Sequence, residues 1–328
     1  MADLMGTPQR ASTEPLAVAL RDPLPWRDFE MLATTAEETG FDAVFLPEIT
    51  GRDATAALAA LAGHTSAIRL GTGVVPLTSR RLPLLAMAAA TVHERSGGRL
   101  ILGVGAGPPG PGSLQRVRDA VAFLREAFAG KVAAEPGTGE PFEPALVPDR
   151  PPPIWLAALG DRMVSLAGEV ADGVLLNWTT PERVRRAAAL VAESASRAGR
   201  GPAAVTVSTY IRACLGAEES SALDALRAAT AQYAAMPHYR RQMESVGLGD
   251  AAARAADAAK AGRPGDVPEE LVRELCLVGD PPSAARRLQE YRDAGAVLPV
   301  IYPVPALDPP SSIMASMLAL APHPALEP

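Results

Sequence analysis

Two neighbouring stretches constrain this chain more than any others. They are Ser66-Ala67-Ile68-Arg69-Leu70-Gly71-Thr72-Gly73-Val74-Val75-Pro76 and Ser96-Gly97-Gly98-Arg99-Leu100-Ile101-Leu102-Gly103-Val104-Gly105-Ala106-Gly107. Each is a short apolar run that ends in glycines. Between them, Arg81 to Arg95 places Leu82, Leu85, Ala89 and Val92 on one helical stripe. Strand, helix, strand at this spacing is a βαβ unit, so the two strands are expected to be parallel neighbours. Glycine at the carboxyl end of a parallel strand lets a ligand approach the backbone closely. That end is where α/β proteins keep their sites.

The rest of the chain repeats the alternation. Leu16 to Leu20 reads as a first strand, and Pro25 opens a helix with Phe29, Leu32, Ala33 and Ala36 on its buried stripe. Phe41 to Leu46 is a second strand, and Asp53 or a neighbour starts the next helix. After the two glycine-ended strands come a helix at Ser113 to Phe128 and a Pro- and Gly-rich stretch over 130–153, expected to be irregular. Pro153 to Ala158, Asp172 to Asn177, Ala204 to Ile211 and Val297 to Ile301 are the later strands. Residues 216–275 read as helix broken at Pro237, Gly247 to Gly249 and Gly262 to Gly265, too long for an ordinary crossover, and are expected to be a helical insertion between strands seven and eight. Eight strands alternating with helices favour an α/β fold of the (β/α)8 TIM-barrel type over an open sheet. The expectation is a single domain over 1–328, with 1–14 a disordered leader.

Composition excludes several classes. The formal net charge is −6 with no basic block, which argues against nucleic-acid binding. No apolar run approaches the roughly 20 residues of a membrane span. Cys214 and Cys276 form neither a metal-type spacing nor a disulfide framework, so the sequence implies no metal and fits a reducing cytoplasm.

Beyond these bounds the motifs carry a resemblance. Gly40-Phe41-Asp42-Ala43-Val44, the two glycine-ended strands, Ile154-Trp155-Leu156-Ala157-Ala158-Leu159-Gly160, Leu166 to Asn177 and Val278-Gly279-Asp280-Pro281 follow one another along nearly the whole chain. In that order they resemble the bacterial luciferase-like monooxygenases. Within these the chain is most similar to the branch that uses the deazaflavin coenzyme F420, the methylenetetrahydromethanopterin-reductase-like oxidoreductases.

The resemblance implies a flavin-like ring across the carboxyl end of strand three. It implies a bulge there with a cis peptide between Gly73 and Val74, the backbone from Gly73 through Val74 and Val75 to Pro76 serving as platform. Gly105, Ala106 and Gly107 would pass beside the ring. Ala158, Leu159 and Gly160 lead into a helix whose free N–H groups and dipole suit a phosphate, with Met163 in its first turn; Asp161 stands awkwardly close. Asn177 and Trp178 end strand six at the same rim, and Trp178 is a candidate to stack on substrate. Tyr233 and His238 are further substrate candidates in a segment that relatives fold over the barrel mouth, and Tyr239 is similar.

Relatives often carry Asp then His after strand two, where this chain has Glu48 and Ile49. Glu48 is therefore the one candidate for acid–base work, since Ile49 moves no proton. Pro108 and Pro109 follow Gly107 where some relatives place an acid, which disfavours chemistry needing those proton-transfer groups. The short Pro108 to Gly112 connection also predicts a more open pocket on that side. The leading expectation is an F420-dependent oxidoreductase transferring hydride to or from a small organic substrate. The alternatives are an FMN-dependent monooxygenase using reduced flavin and oxygen, and a non-catalytic flavin-binding barrel. Family members commonly pair through their second and third helices. The apolar Ala54 to Leu61 face gives this chain the means to form a homodimer.

Overall fold

A computed structural model describes residues 14–21, 24–108 and 110–323. All of the expected leader except Glu14, together with Pro109, lies outside them. In chain order the first half holds β1 (Ala17–Ala19), α1 (Trp26–Glu38), β2 (Ala43–Leu46), α2 (Ala54–Leu61), β3 (Arg69–Thr72), β4 (Val75–Pro76), α3 (Leu82–Arg95), β5 (Leu100–Gly105), α4 (Ser113–Phe128), β6 (Ala133–Ala134) and β7 (Pro141–Phe142). Then come β8 (Ile154–Ala157), α5 (Asp161–Val170), β9 (Gly173–Asn177), α6 (Pro181–Arg197), β10 (Thr206–Cys214), α7 (Glu219–Ala234), α8 (Pro237–Glu244), α9 (Gly249–Lys260) and α10 (Glu269–Leu275). The chain closes with β11 (Cys276–Val278), α11 (Pro281–Asp293), β12 (Leu298–Pro303) and α12 (Pro309–Ala319).

Eight strands pair in parallel in the order β1, β2, β3, β5, β8, β9, β10 and β12, and β12 returns to β1, closing a TIM barrel. Local chemistry starts the helices, at Asp53 where the sequence reads one. The Asp53 carboxylate accepts the Ala56 N–H, Thr180 accepts Arg183 N–H and Asp280 accepts Ser283 N–H, each satisfying a donor that the first helical turn leaves free. The stripe of Phe29, Leu32, Ala33 and Ala36 on α1 is buried as expected.

Inside the barrel, small residues make room for a few rings. Ala17, Ala19 and Ala43 surround Phe45, Trp155 and Tyr210. Phe45 lies 5.6 Å from Trp155 and 6.3 Å, edge-on, from Tyr210. A Cβ on Gly71 would collide with the Phe45 ring, and one on Gly173 with Trp155. These two glycines therefore set how large the neighbouring side chains can be.

The third strand breaks where the two-strand motif ends. Leu70 and Gly71 pair with Leu100 and Ile101, but Val75 pairs with Val104, so the register slips by one residue. The Gly73–Val74 peptide is cis, as the resemblance implies. Across the gap the Thr72 hydroxyl donates to the Gly103 carbonyl (2.7 Å) and accepts the Gly103 N–H (2.8 Å), replacing the interrupted ladder. A Cβ on Gly103 would strike the Thr72 carbonyl, and one on Gly105 would lie 2.8 Å from Val74 Cγ2. The strand-five glycines are there to admit the bulge.

Two segments differ from the sequence reading. Within 130–153, β6 and β7 form a small antiparallel hairpin, held by Phe142 against Phe123 (5.8 Å) and by Glu135 gripping Arg81. Over 216–275 the chain is helical, with a 3-10 turn at Pro264–Asp266, but Cys276–Val278 then adds a short strand to β10. Three residues carry too little periodicity to announce a strand.

Candidate functional site

The carboxyl ends of the barrel strands open into a cavity of about 780 Å³. From the platform side it is lined by Pro47, Glu48, Ile49, Gly73, Val74 and Pro76, and from the β5 side by Gly105, Ala106, Gly107 and Gly110. Ala158, Leu159, Gly160 and Met163 form a third wall; Asn177, Tyr233 and His238 reach it from β9, α7 and α8. Two expected residues do not line it. Val75 pairs with β5 and turns its side chain into the core, where it is fully buried. Trp178 adopts a left-handed backbone (φ 51°) that tucks its indole beneath the helical segment, 4.9 Å from the Tyr233 ring and only 2 % exposed. Its place is in the core of α7, α9 and α10 rather than against a ligand.

Glu48 sits at the end of β2 with both carboxylate oxygens engaged. Arg80 Nε donates to one (3.0 Å), and Arg80 Nη2 and the Ala54 N–H (2.9 Å) donate to the other. Arg80 also pairs with Asp53 at 2.8 Å and donates to the Thr55 hydroxyl. Burial alone would raise the Asp53 carboxyl, but Arg80, the Thr55 hydroxyl and the Ala56 N–H together hold it down at about 2.

Beneath the bulge, the Tyr210 hydroxyl donates to the Gly73 carbonyl at 3.0 Å. Burial pushes this phenol well above its ordinary range, so it stays a donor. On the opposite wall, no side chain caps α5, and nothing lies within 4 Å of a Cβ built on Gly160. The helix start is thus open to the cavity, with its dipole favouring an anion. Asp161 does not spoil this: its carboxylate is paired with Arg183 (2.9 Å) and Arg186. Arg183 is itself nearly buried and donates to the Leu159 carbonyl at 2.6 Å.

Helix α8 is fastened to the end of β9. Gln242 donates to the Asn177 and Trp178 carbonyls, and Asn177 Nδ2 donates to the Tyr239 hydroxyl at 2.9 Å. Burial raises the Tyr239 phenol to about 12. His238 lines the same wall; burial first, then the charge of Arg241, pushes its imidazole below the ordinary value.

Sequence reasoning missed all five of the cavity arginines and two of its four tyrosines. Arg162, Arg183, Arg186, Arg212 and Arg241 line the cavity against only two carboxylates, Glu48 and Asp161. Four of the chain's five tyrosines, Tyr210, Tyr233, Tyr239 and Tyr302, converge there although aromatics are only 4% of residues. The signal available was position: Tyr210 and Arg212 alternate along β10 and so share one face of the strand. Among the described residues no cluster could hold a metal ion, and no helix is long and apolar enough to cross a membrane.

Comparison with known proteins agrees with this architecture. A family model described as luciferase-like monooxygenase matches residues 5–298. A 5,10-methylenetetrahydromethanopterin reductase of Methanolobus tindarius is 34% identical over 202 residues, covering 58% of this chain and 61% of that protein. The matched stretch thus spans less than two thirds of that relative. A 5,10-methylenetetrahydromethanopterin reductase of Archaeoglobus fulgidus is 28% identical across 83% of this chain and 88% of its own length. The solved coenzyme F420-dependent tetrahydromethanopterin reductase of Methanopyrus kandleri superposes with a TM-score of 0.79 at 21% identity, covering 94% of this chain and 98% of that one.

Proposed function

Because the chain belongs to the luciferase-like monooxygenase family, we propose that it is an F420-dependent oxidoreductase, moving hydride between the deazaflavin and a small organic substrate. The observation that carries this reading is the charge of the cavity. Five arginines face two carboxylates, in a chain whose net charge is −6. Such a lining suits a cofactor that bears a phosphate and further carboxylates, more than one bearing a phosphate alone. The names of the relatives point the same way.

The residues present fit the group. The uncapped start of α5, with Arg183 and Arg186 behind it, would take the phosphate. Gly73, Val74 and Gly105 line the cavity with little side chain between them and a ring placed there, and Tyr210 fixes the Gly73 carbonyl. When bound, the deazaflavin supplies the hydride-transfer chemistry. The protein orients it, and α8, pinned by Gln242 and Tyr239, excludes water from the mouth. Glu48, clamped by Arg80, lines the cavity at the β2 end of the platform, and the proton that accompanies hydride would come from the substrate, water or Glu48.

Titrating purified protein with F420 and with FMN tests this. Micromolar F420 binding with substrate reduction supports it. Binding of FMN alone, with hydroxylation that needs reduced FMN and oxygen, replaces it with the monooxygenase reading. Cofactor binding with no turnover on any reduced cofactor leaves a binding barrel. We also propose a homodimer through α2 and α3, whose outer surface shows Ala56, Ala60, Leu84 and Met87, the last two about half exposed. A monomer by light scattering at micromolar concentration would exclude it.

A further inference from the structure

We propose that Arg212 is a receptor for a negatively charged group on the substrate, so that the substrate is an organic acid and binds as its carboxylate. The proposal rests on the cofactor reading above only for what shares the cavity with that acid.

Arg212 lies near the end of β10 and is 4 % exposed, yet it lines the cavity. Its guanidinium is walled by rings, 4.4 Å from the centroid of Tyr302, 4.6 Å from Trp178, 5.1 Å from Tyr233 and 5.9 Å from Tyr210. One edge nitrogen, Nη1, donates to Asn177 Oδ1. Among the described residues no carboxylate pairs with it. Arg183 and Arg186 on the neighbouring wall both have Asp161.

A buried cation without a counter-charge is costly. The surrounding rings offset part of that cost through their negative faces. Nη1 is taken by Asn177, but a guanidinium carries five N–H donors in a planar fork that matches a carboxylate in plane and spacing, and Arg212 lines the cavity. A neutral ligand returns little of the desolvation, whereas an anion returns most of it. Recognition by buried polar groups discriminates strongly, because the wrong ligand leaves the donors unpaired.

Placement separates this group from the phosphate-type wall. Tyr210 is two residues earlier on β10 and on the same face, and it touches the Gly73 carbonyl of the platform. Arg212 therefore stands one strand step further toward the mouth than the platform, roughly 6–7 Å along the strand. A carboxylate held there would lie over the platform beside the ring. Asn177 and Tyr302 flank the same position. The platform, the Arg212 fork and the α8 wall together describe a site for a compact acid held between the cofactor ring and the helical segment.

The experiment is isothermal titration of benzoate and its neutral isostere benzamide into F420-loaded protein. It uses wild type, Arg212→Met, Arg212→Gln and Arg212→Lys, with the F420 affinity and thermal midpoint of each recorded. Arg212→Gln retains an amide donor for Asn177 and guards against a Met variant that does not fold. We expect wild type to prefer benzoate by about tenfold or more, a difference of about 1.4 kcal/mol. We expect that preference to vanish in the Met and Gln variants and to survive in part in Lys, with F420 affinity within about twofold throughout. No preference in wild type would overturn the proposal, as would a preference undiminished in the Gln variant. Loss of F420 affinity matching the loss of benzoate affinity would also overturn it, making Arg212 a cofactor ligand. If F420 does not bind wild type at all, the cofactor reading fails by itself. The same titrations on cofactor-free protein then decide the Arg212 proposal.

Discussion

Replacing Gly73 by alanine tests the platform directly. A Cβ built there would overlap the Tyr210 hydroxyl oxygen and lie 2.9 Å from Tyr210 Cζ and 3.3 Å from Phe45 Cβ. Its ring packs 6.3 Å from Phe45 and 5.6 Å from Tyr302 and the residue is nearly buried, so the ring can yield only by moving toward the cavity and off the Gly73 carbonyl. Overpacking of this kind costs about 1–3 kcal/mol. Breaking the Tyr210–Gly73 hydrogen bond strands a buried carbonyl and a buried phenol for about 1–3 kcal/mol more. The combined loss is about 2–6 kcal/mol, a fall in thermal midpoint on the order of 3–9 °C for a chain of this size. Cofactor affinity, read by fluorescence titration, should fall about tenfold or more as the platform carbonyl is displaced. Tyr210→Phe alone should cost about 1–2 kcal/mol by stranding the carbonyl. In the double variant the oxygen is gone, so the two losses should sum to clearly more than the double variant shows, with a coupling of about 1 kcal/mol or more. A Gly73→Ala protein within about 0.5 kcal/mol of wild type, or strict additivity with Tyr210→Phe, would refute the packing argument.

The other predictions concern charge. Arg80→Met removes the partner of Glu48, which is 13 % exposed, and of half-exposed Asp53, and should cost about 2–3 kcal/mol in urea unfolding; a loss below about 0.5 kcal/mol would mean the clamp is ornamental. Asp53 titrates at about 2 in the fold, below its unfolded value near 3.8. Its contribution is therefore present above about pH 4 and disappears as pH falls toward 2, and Asp53→Asn should flatten that acid limb. His238 acts in the same direction in a higher window: its lowered folded value means the unfolded chain binds more protons near neutrality, so stability drops as pH falls below about 6.5. His238→Gln should lessen that slope in thermal scans from pH 7 to 5; an unchanged slope would assign it elsewhere.

The sequence by itself determined the elements and the motif around which they close. Helical stripes, the helix start at Asp53 and the glycine-ended strands are statements about local backbone and periodicity, and local rules read them. Gly73 and Gly105 were legible as cavity-lining positions for the same reason, since a Cβ on either would strike Tyr210 or Val74, and Gly160 lines the same cavity. Tertiary structure alone decided which side chains face the cavity. A one-residue slip at the bulge turned Val75 into the core, and one left-handed residue turned Trp178 under the helices. The arginines Arg80, Arg183 and Arg212 look alike in a row of letters. They differ because barrel closure brings Glu48 to one, Asp161 to another and, among the described residues, aromatic rings and an amide to the third. The worth of a charge depends on its partners and on the water it loses. Both are set by residues tens of positions away, so no window along the chain contains that information.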